Sequence, residues 1–185
     1  MIELTWSAAY MLMGMLFFYG GGHSELGHIS LLNMTDFEDI YCLSANAYHE
    51  ARGENAQEQM AVTQVVMNRV QSTRYPDDVC AVVTQGPVRE VWSTRKDPSL
   101  APSERRYFPI RNRCQFSWYC DGKNDRVTSR QGWEDSVIAA YLVYNGYGED
   151  KVDGATHYYA YKQVTPRWAS KMVVTAELEG HAYLK

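Results

Sequence analysis

Glu50 is the residue of this sequence best suited to acid–base chemistry. Four apolar residues precede it at helical spacing: Phe37, Ile40, Leu43 and Ala47. Glu50 continues that row, so it is expected beside the core near the end of a helix. Burial raises the pKa of a carboxyl group, which makes it a general acid near neutral pH. The alternative is a structural ion pair with a cation such as Arg52 or Arg69.

Two helices joined by a tight corner are expected to position Glu50. Thr35 with Glu38 three residues later forms a capping box that opens the first helix, and Asn55 with Glu58 opens the second. Gly53 between them suits a left-handed cap at the end of the first helix. The inward face of the second helix is predicted to hold five apolar residues: Ala61, Val62, Val65, Val66 and Val70.

Several blocks of the sequence follow one another in a characteristic order. They are Tyr48-His49-Glu50-Ala51-Arg52-Gly53-Glu54, Gln59-Met60-Ala61-Val62, Val66-Met67-Asn68-Arg69-Val70, Tyr75-Pro76, Val79-Cys80-Ala81-Val82-Val83, Cys114-Gln115-Phe116-Ser117-Trp118, Ala155-Thr156-His157-Tyr158-Tyr159, Pro166-Arg167-Trp168 and Gly180-His181. Together they closely resemble the bacterial cell-wall hydrolase family of the SleB and CwlJ type, over roughly residues 38–184. The resemblance implies a peptidoglycan-cleaving enzyme with Glu50 as its acid. It also implies a mainly helical α+β fold, with a lysozyme-like catalytic domain and a small β element near the C-terminus.

Five further residues are candidates for contact with a glycan substrate. Gln115 and Ser117 alternate with aromatic residues, so an extended segment would place both polar side chains on one side; the alternative is a disulfide-closed core strand. The resemblance places His157 and Tyr159 near the cleft, although a structural histidine is an equal alternative. Glu54 is interpreted as a supporting group that accepts hydrogen bonds from backbone amides at the start of the next helix.

The remaining segments are read from their composition and periodicity. A short helix is expected near residues 79–84, a core helix over residues 132–147, and a strand or hairpin over residues 171–183. Residues 85–113 are rich in Pro, Arg and Ser and form a longer connection than is ordinary. Compared with the family pattern this segment looks like an insertion, which would cover the cleft, contact acidic peptides or form solvated surface.

The number of carboxylates distinguishes the reactions that the sequence allows. Glycosidases ordinarily use two, whereas the matched blocks offer one strong acid. A single acid fits lytic transglycosylation of the MurNAc–GlcNAc β-1,4 bond, which is favoured over muramidase hydrolysis, with no cofactor or metal. An N-acetylmuramoyl-L-alanine amidase is the alternative enzyme, although Gly53 stands where an HExxH zinc motif starting at His49 needs its second histidine. A catalytically inert wall-binding or virion module is the non-enzymatic alternative.

Charge and cysteine content limit the partners and the compartment. A net charge of −4 without a long basic run argues against nucleic acid binding, and we expect a monomer that binds peptidoglycan strands. Four cysteines allow three pairings; Cys114–Cys120 is favoured, which leaves Cys42 to pair with Cys80 or to remain a buried thiol. Disulfides would place the protein in an oxidising compartment, here the periplasm or cell envelope.

The chain is divided into an apolar N-terminal segment with a linker, residues 1–33, and a catalytic domain, residues 34–185. Residues 4–24 contain no Lys, Arg, Asp or Glu, and residues 4–22 are read as a signal anchor at the inner membrane. The alternative is an apolar helix docked on the domain or on a partner. Glu3 stands where a basic n-region would be, which disfavours a cleaved signal peptide. These features suit a phage endolysin in host lysis or a Gram-negative envelope enzyme.

Overall fold

The computed structural model describes residues 34–185, so the predicted anchor at residues 4–22 lies outside the described residues. Its helices are α1 (Met34–Ala51), α2 (Ala56–Val70), α3 (Val79–Val83), α4 (Trp92–Arg95) and α5 (Arg130–Tyr144), with short 3-10 turns at Pro102–Glu104, Ser117–Cys120 and Ala169–Lys171. Its strands are β1 (Val88–Glu90), β2 (Tyr107–Pro109), β3 (His157–Tyr159), β4 (Val174–Glu177) and β5 (Ala182–Leu184). Within the described part of the chain, no helix is both long and apolar enough to cross a bilayer.

Three long helices, α1, α2 and α5, pack against one another and form the main core. Ile40 and Leu43 of α1 meet Val66 of α2 and Trp133 of α5 in one buried cluster. The apolar face predicted for α2 is confirmed, with Val70 half-buried and the other four residues buried. The core helix predicted over residues 132–147 is also present; it starts and ends slightly earlier and is followed by Gly146 at φ +72°.

The predicted caps of α1 and α2 are only partly correct. Thr35 lies within α1 and does not precede it. Asn55 does cap α2, because its side chain accepts a hydrogen bond from the Glu58 amide at 3.0 Å, but the Glu58 carboxylate points to a distant strand and leaves the second half of the box unformed. Gly53 is not left-handed. The corner closes instead through the Glu54 amide, which donates to the Ala51 carbonyl at 3.0 Å.

Two small antiparallel sheets accompany the helices. The first corrects the expectation of an irregular loop over residues 85–113: β1 and β2 pair there as a hairpin, with Arg89 opposite Phe108, and α4 lies between them. The second has the strand order β3-β5-β4 and confirms the predicted C-terminal hairpin. Its central strand β5 is buried, so residues 182–184 join the helical core to β3.

The favoured Cys114–Cys120 disulfide is formed, and of the two alternatives left open for Cys42 the structure has the bond to Cys80. Cys42 of α1 bonds to Cys80 of α3, 38 residues later, and Cys114 bonds to Cys120 across six residues. The first fixes α3 against the main helix. The second closes the short loop that carries Gln115 and Ser117.

Removing the long-range disulfide should cost more stability than removing the short one. A cross-link stabilises a fold mainly by restricting the unfolded chain, and the restriction grows with the length of the closed loop. We expect Cys42→Ala with Cys80→Ala to lower the free energy of unfolding by about 2–4 kcal/mol, and Cys114→Ala with Cys120→Ala to lower it by less. Urea denaturation measures both, and the reverse order would contradict this account.

Candidate active site

A cleft of about 390 Å³ opens at the C-terminal end of α1, between α2, the Cys114–Cys120 loop and β3. Its lining comprises Glu50, Arg69, Gln115, Phe116, Ser117, His157, Tyr158, Trp168 and Met172. The structure therefore brings three of the predicted substrate-binding residues, Gln115, Ser117 and His157, to the same cavity as Glu50. The other two, Tyr159 and Glu54, are not in this lining, so their predicted role gains no support from their position.

Glu50 lies half-buried in the cleft, and within the described part of the chain its carboxylate accepts one hydrogen bond. The Tyr158 hydroxyl donates to Oε2 at 3.1 Å. Burial raises the pKa of Glu50, although the Tyr158 hydrogen bond and the nearby His181 and Arg69 oppose this effect. Within residues 34–185, no cation lies within ion-pair distance of Glu50. The geometry thus favours a carboxyl group with a raised pKa over the structural ion pair considered from the sequence.

Arg69 is the cation of the cleft, and it is held by α2 and the chain before β3. Its Nε donates to the Thr156 carbonyl at 2.8 Å, and its guanidinium carbon lies 4.9 Å from the centre of the Phe116 ring. In the described structure its buried Nη1 has no hydrogen-bond partner. These contacts keep the guanidinium beside Glu50 without closing an ion pair, so the carboxyl group remains open to the cleft.

Tyr158 is a site residue that the sequence reasoning missed. The resemblance places His157 and Tyr159 near the cleft, and in an extended segment Tyr158 between them faces the opposite side. In the structure Tyr158 reaches Glu50, whereas the Tyr159 ring packs edge-on against Trp168 at 5.8 Å. Burial and the neighbouring carboxylate raise the pKa of Tyr158 well above its usual range, so its hydroxyl stays a donor.

The loop between the short-range cysteines differs from the extended segment that was expected. Ser117 starts a 3-10 turn. The buried Phe116 nevertheless anchors the loop, and Gln115 and Ser117 still reach the cleft. Trp118 stacks on the His49 ring at 4.5 Å and donates to the Asn46 side chain at 3.0 Å, which fixes the loop against α1.

Glu58 supports the site from behind, through a network in which Glu58, His181 and Tyr183 are buried and Gly180 is half-buried. Its carboxylate accepts hydrogen bonds from the Gly180 and His181 amides and, at 2.6 Å, from the Tyr183 hydroxyl, with His181 Nδ1 at 3.2 Å. Burial alone would raise the pKa of Glu58, but these hydrogen bonds outweigh it and lower the pKa. The His181 and Tyr183 rings in turn contact the Tyr158 ring, at 5.2 and 5.9 Å.

This network also accounts for two residues that the sequence reasoning placed differently. Glu58 was interpreted as part of a capping box at the start of α2, so its burial was not predicted. Glu54, expected to accept backbone amides, lies exposed at the outer edge, where a Cβ on Gly180 would come within 3.1 Å of its Cδ. The amide-accepting carboxylate is Glu58. Across the described residues, no group of three or more His, Cys, Asp or Glu side chains is arranged to hold a metal ion.

Replacing Glu58 by Gln should destabilise the fold, and most strongly at neutral pH. The uncharged amide cannot accept all four donors, which should cost about 2–4 kcal/mol of unfolding free energy. Because the pKa of Glu58 is lowered in the folded state, its contribution is present above the ordinary glutamate pKa and is lost as the pH falls through the folded value. Denaturation at several pH values measures this, with the exposed Glu54→Gln as control; a pH-independent difference would contradict the assignment.

Comparison with known proteins now identifies the class of the chain. The model of the cell wall hydrolase family matches residues 53–184, beginning three residues after Glu50. The chain therefore belongs to the cell wall hydrolase family, as the sequence blocks indicated. No curated protein matches this chain.

Two solved structures show the same fold. The catalytic domain of the SleB protein of Bacillus cereus has a TM-score of 0.53 and 23% identity, covering 90% of this chain and 100% of that one. The catalytic domain of the germination-specific lytic transglycosylase SleB from Bacillus anthracis has a TM-score of 0.53 and 21% identity, covering 84% and 98%. These matches confirm the predicted fold class, a mainly helical α+β domain with a small sheet near the C-terminus.

Proposed function

We propose that this cell wall hydrolase cleaves the β-1,4 bond between MurNAc and GlcNAc in peptidoglycan, with Glu50 as its single acid and base. The observation that carries the proposal is that Glu50 is the only carboxylate among the described residues that line the cleft. Hydrolysis by retaining or inverting glycosidases needs a second carboxylate across the bond, at about 5–5.5 Å or 6.5–9.5 Å from the first. Its absence from the lining favours lytic transglycosylation.

The proposed reaction uses the Glu50 carboxyl group twice, first as an acid and then as a base. The protonated carboxyl group donates to the glycosidic oxygen while the bond from that oxygen to C1 of MurNAc breaks, and GlcNAc leaves with a new hydroxyl. The carboxylate then accepts the proton of the MurNAc 6-hydroxyl as its oxygen attacks C1 and closes a 1,6-anhydro ring. Glu50 returns to its protonated form, and neither water nor another nucleophile is consumed. A carboxyl group with a raised pKa suits both steps.

Other cleft residues suit a neutral, hydroxyl-rich ligand. The amide of Gln115 and the hydroxyl of Ser117 are donors and acceptors for sugar hydroxyls and N-acetyl groups. Burial, together with the charges of Arg69 and Arg74, lowers the pKa of His157, so its imidazole is uncharged at neutral pH. The indole of Trp168 adds an amphipathic ring on which a sugar can stack.

The proposed place of action is the periplasm or cell envelope. Disulfides persist in oxidising compartments, and the cross-link from Cys42 joins the helix that carries Glu50 to α3. Peptidoglycan lies in that compartment. A role in host lysis would follow from a phage origin.

Mass spectrometry of the fragments released from purified peptidoglycan tests the reaction. We expect muropeptides that end in 1,6-anhydro-MurNAc. New reducing ends would indicate a hydrolase, and released stem peptides would indicate an amidase. Either of those results would overturn the transglycosylase proposal.

In a zymogram that contains peptidoglycan, Glu50→Gln should abolish clearing. The amide cannot donate an acidic proton, so we expect the rate to fall by at least about 100-fold. Glu54→Gln is the matched control, since it lies in the same motif but outside the cleft lining and should keep wild-type activity. Clearing by Glu50→Gln at the wild-type rate would remove this residue from the reaction.

Tyr158→Phe should shift the pH profile without abolishing activity. The Tyr158 hydroxyl stabilises the Glu50 carboxylate, so its removal should raise the pKa of Glu50 further. The activity lost at high pH, where Glu50 is deprotonated, should then be lost at a higher pH than in the wild type. Tyr159→Phe serves as control. An unchanged alkaline limb in Tyr158→Phe would show that this hydrogen bond does not set the titration of the acid.

A further inference from the structure

Residues 85–113, called the hairpin segment below, carry a charge opposite to that of the rest of the chain. The segment has seven Lys and Arg against three Asp and Glu, whereas the other 156 residues have eleven against nineteen. Its exposed cations are Arg89, Arg95, Lys96, Arg106, Arg111 and Arg113. Among the described residues, the ion pair formed within the segment joins Arg105 to Glu90 at 2.8 Å. Arg111 donates to the Asp121 carbonyl at 2.9 Å. The other five exposed cations form no ion pair within the described residues and remain available to an external anion.

One face of the hairpin combines these cations with an exposed aromatic ring. Arg89 of β1 pairs directly with Phe108 of β2, and residues opposite each other in an antiparallel pair share a face. Arg106, two residues before Phe108, lies on the same face. The Phe108 side chain is 46% exposed and that of Trp92, in the adjoining α4, is 60% exposed. The segment thus presents aromatic rings with cations interleaved.

The hairpin segment is fixed to the loop that forms one wall of the cleft. The Gln115 amide donates to the Gln85 carbonyl at 2.8 Å, and the Asn112 amide donates to the Cys120 carbonyl at 2.9 Å. Gly86 approaches so closely that an added Cβ would lie 3.0 Å from Cys114. A polymer that leaves the cleft past Gln115 therefore meets the base of the hairpin.

We propose that the hairpin segment is a second binding surface for peptidoglycan, engaging the polymer beyond the cleft. Sugar rings stack on the exposed aromatics, and carboxylates of the stem peptides meet the cations of the hairpin face. This inference rests on the proposed function, because peptidoglycan is taken from there as the polymer that is bound. Charge complementarity favours an acidic polymer. The Lys96 ammonium, 3.4 Å from the centre of the Trp92 ring, makes the surface polar where insertion into lipid would need continuous apolar area.

Binding to insoluble peptidoglycan sacculi, measured by sedimentation of inactive Glu50→Gln protein, tests the surface. Arg89→Ser with Arg106→Ser, and separately Phe108→Ser, should each weaken binding by about threefold or more. Added salt should weaken the binding of the parent protein more than that of the double charge variant. Lys151→Ser with Lys185→Ser is the control for charge, because it removes two positive charges outside the hairpin segment. Tyr147→Ser is the control for the ring, because Tyr147 is an aromatic residue that is 59% exposed. Both controls should bind as the parent does.

A second measurement separates this surface from the cleft. With Glu50 intact, the hairpin variants should cleave a peptide-free glycan fragment at the wild-type rate, because they leave the cleft lining unchanged. If the wild-type protein neither binds nor cleaves sacculi, the proposed function itself fails. If it binds sacculi and the hairpin variants bind equally well, the second surface is wrong. If the hairpin variants lose binding to phosphatidylglycerol vesicles but bind sacculi as the parent does, the segment is a membrane-binding surface and the proposal is wrong.

Discussion

The desolvation of the Glu50 carboxyl group is the interaction on which the rest of the site depends. A carboxylate at the end of a packed helix is unstable unless a cation neutralises it or a proton does. Here the nearby cation, Arg69, is held away by its own bond to the Thr156 carbonyl and by the Phe116 ring. Burial therefore raises the pKa of Glu50, and a hydrogen bond from Tyr158 limits this rise.

Two glutamates eight residues apart in the chain show how environment decides the role of the same side chain. Glu50 has one hydroxyl donor and a raised pKa, whereas Glu58 is surrounded by backbone and side-chain donors and has a lowered pKa. Pairs of titratable groups pushed in opposite directions often divide the chemistry of a site between them. Glu58, with the lowered pKa, stabilises the structure here, and Glu50, with the raised pKa, faces the cleft.

Local patterns predicted the helices and the position of Glu50, whereas they did not indicate the long-range contacts. Helical periodicity was sufficient for the apolar faces of α1 and α2, and therefore for the position of Glu50. The same reasoning assigned Glu58 to a capping box, because its partners Gly180, His181 and Tyr183 lie more than 120 residues away. Tyr158 was missed because alternation gives two faces of a strand but does not say which one meets a distant helix. Residues 85–113 were interpreted only as a long connection. Their two strands are three residues long, which is too short for a periodic pattern to be recognised.

The support behind the acid comes from widely separated parts of the sequence. Tyr158 lies 108 residues after Glu50, and Tyr183 lies 125 residues after Glu58. During synthesis the helix carrying Glu50 emerges from the ribosome long before β5 exists. The nascent chain therefore lacks the groups that brace its acid until residue 184 has been added and released from the exit tunnel. A chain that ended before β5 would therefore carry Glu50 and Glu58 without the Tyr183 hydroxyl and the His181 ring that complete their surroundings.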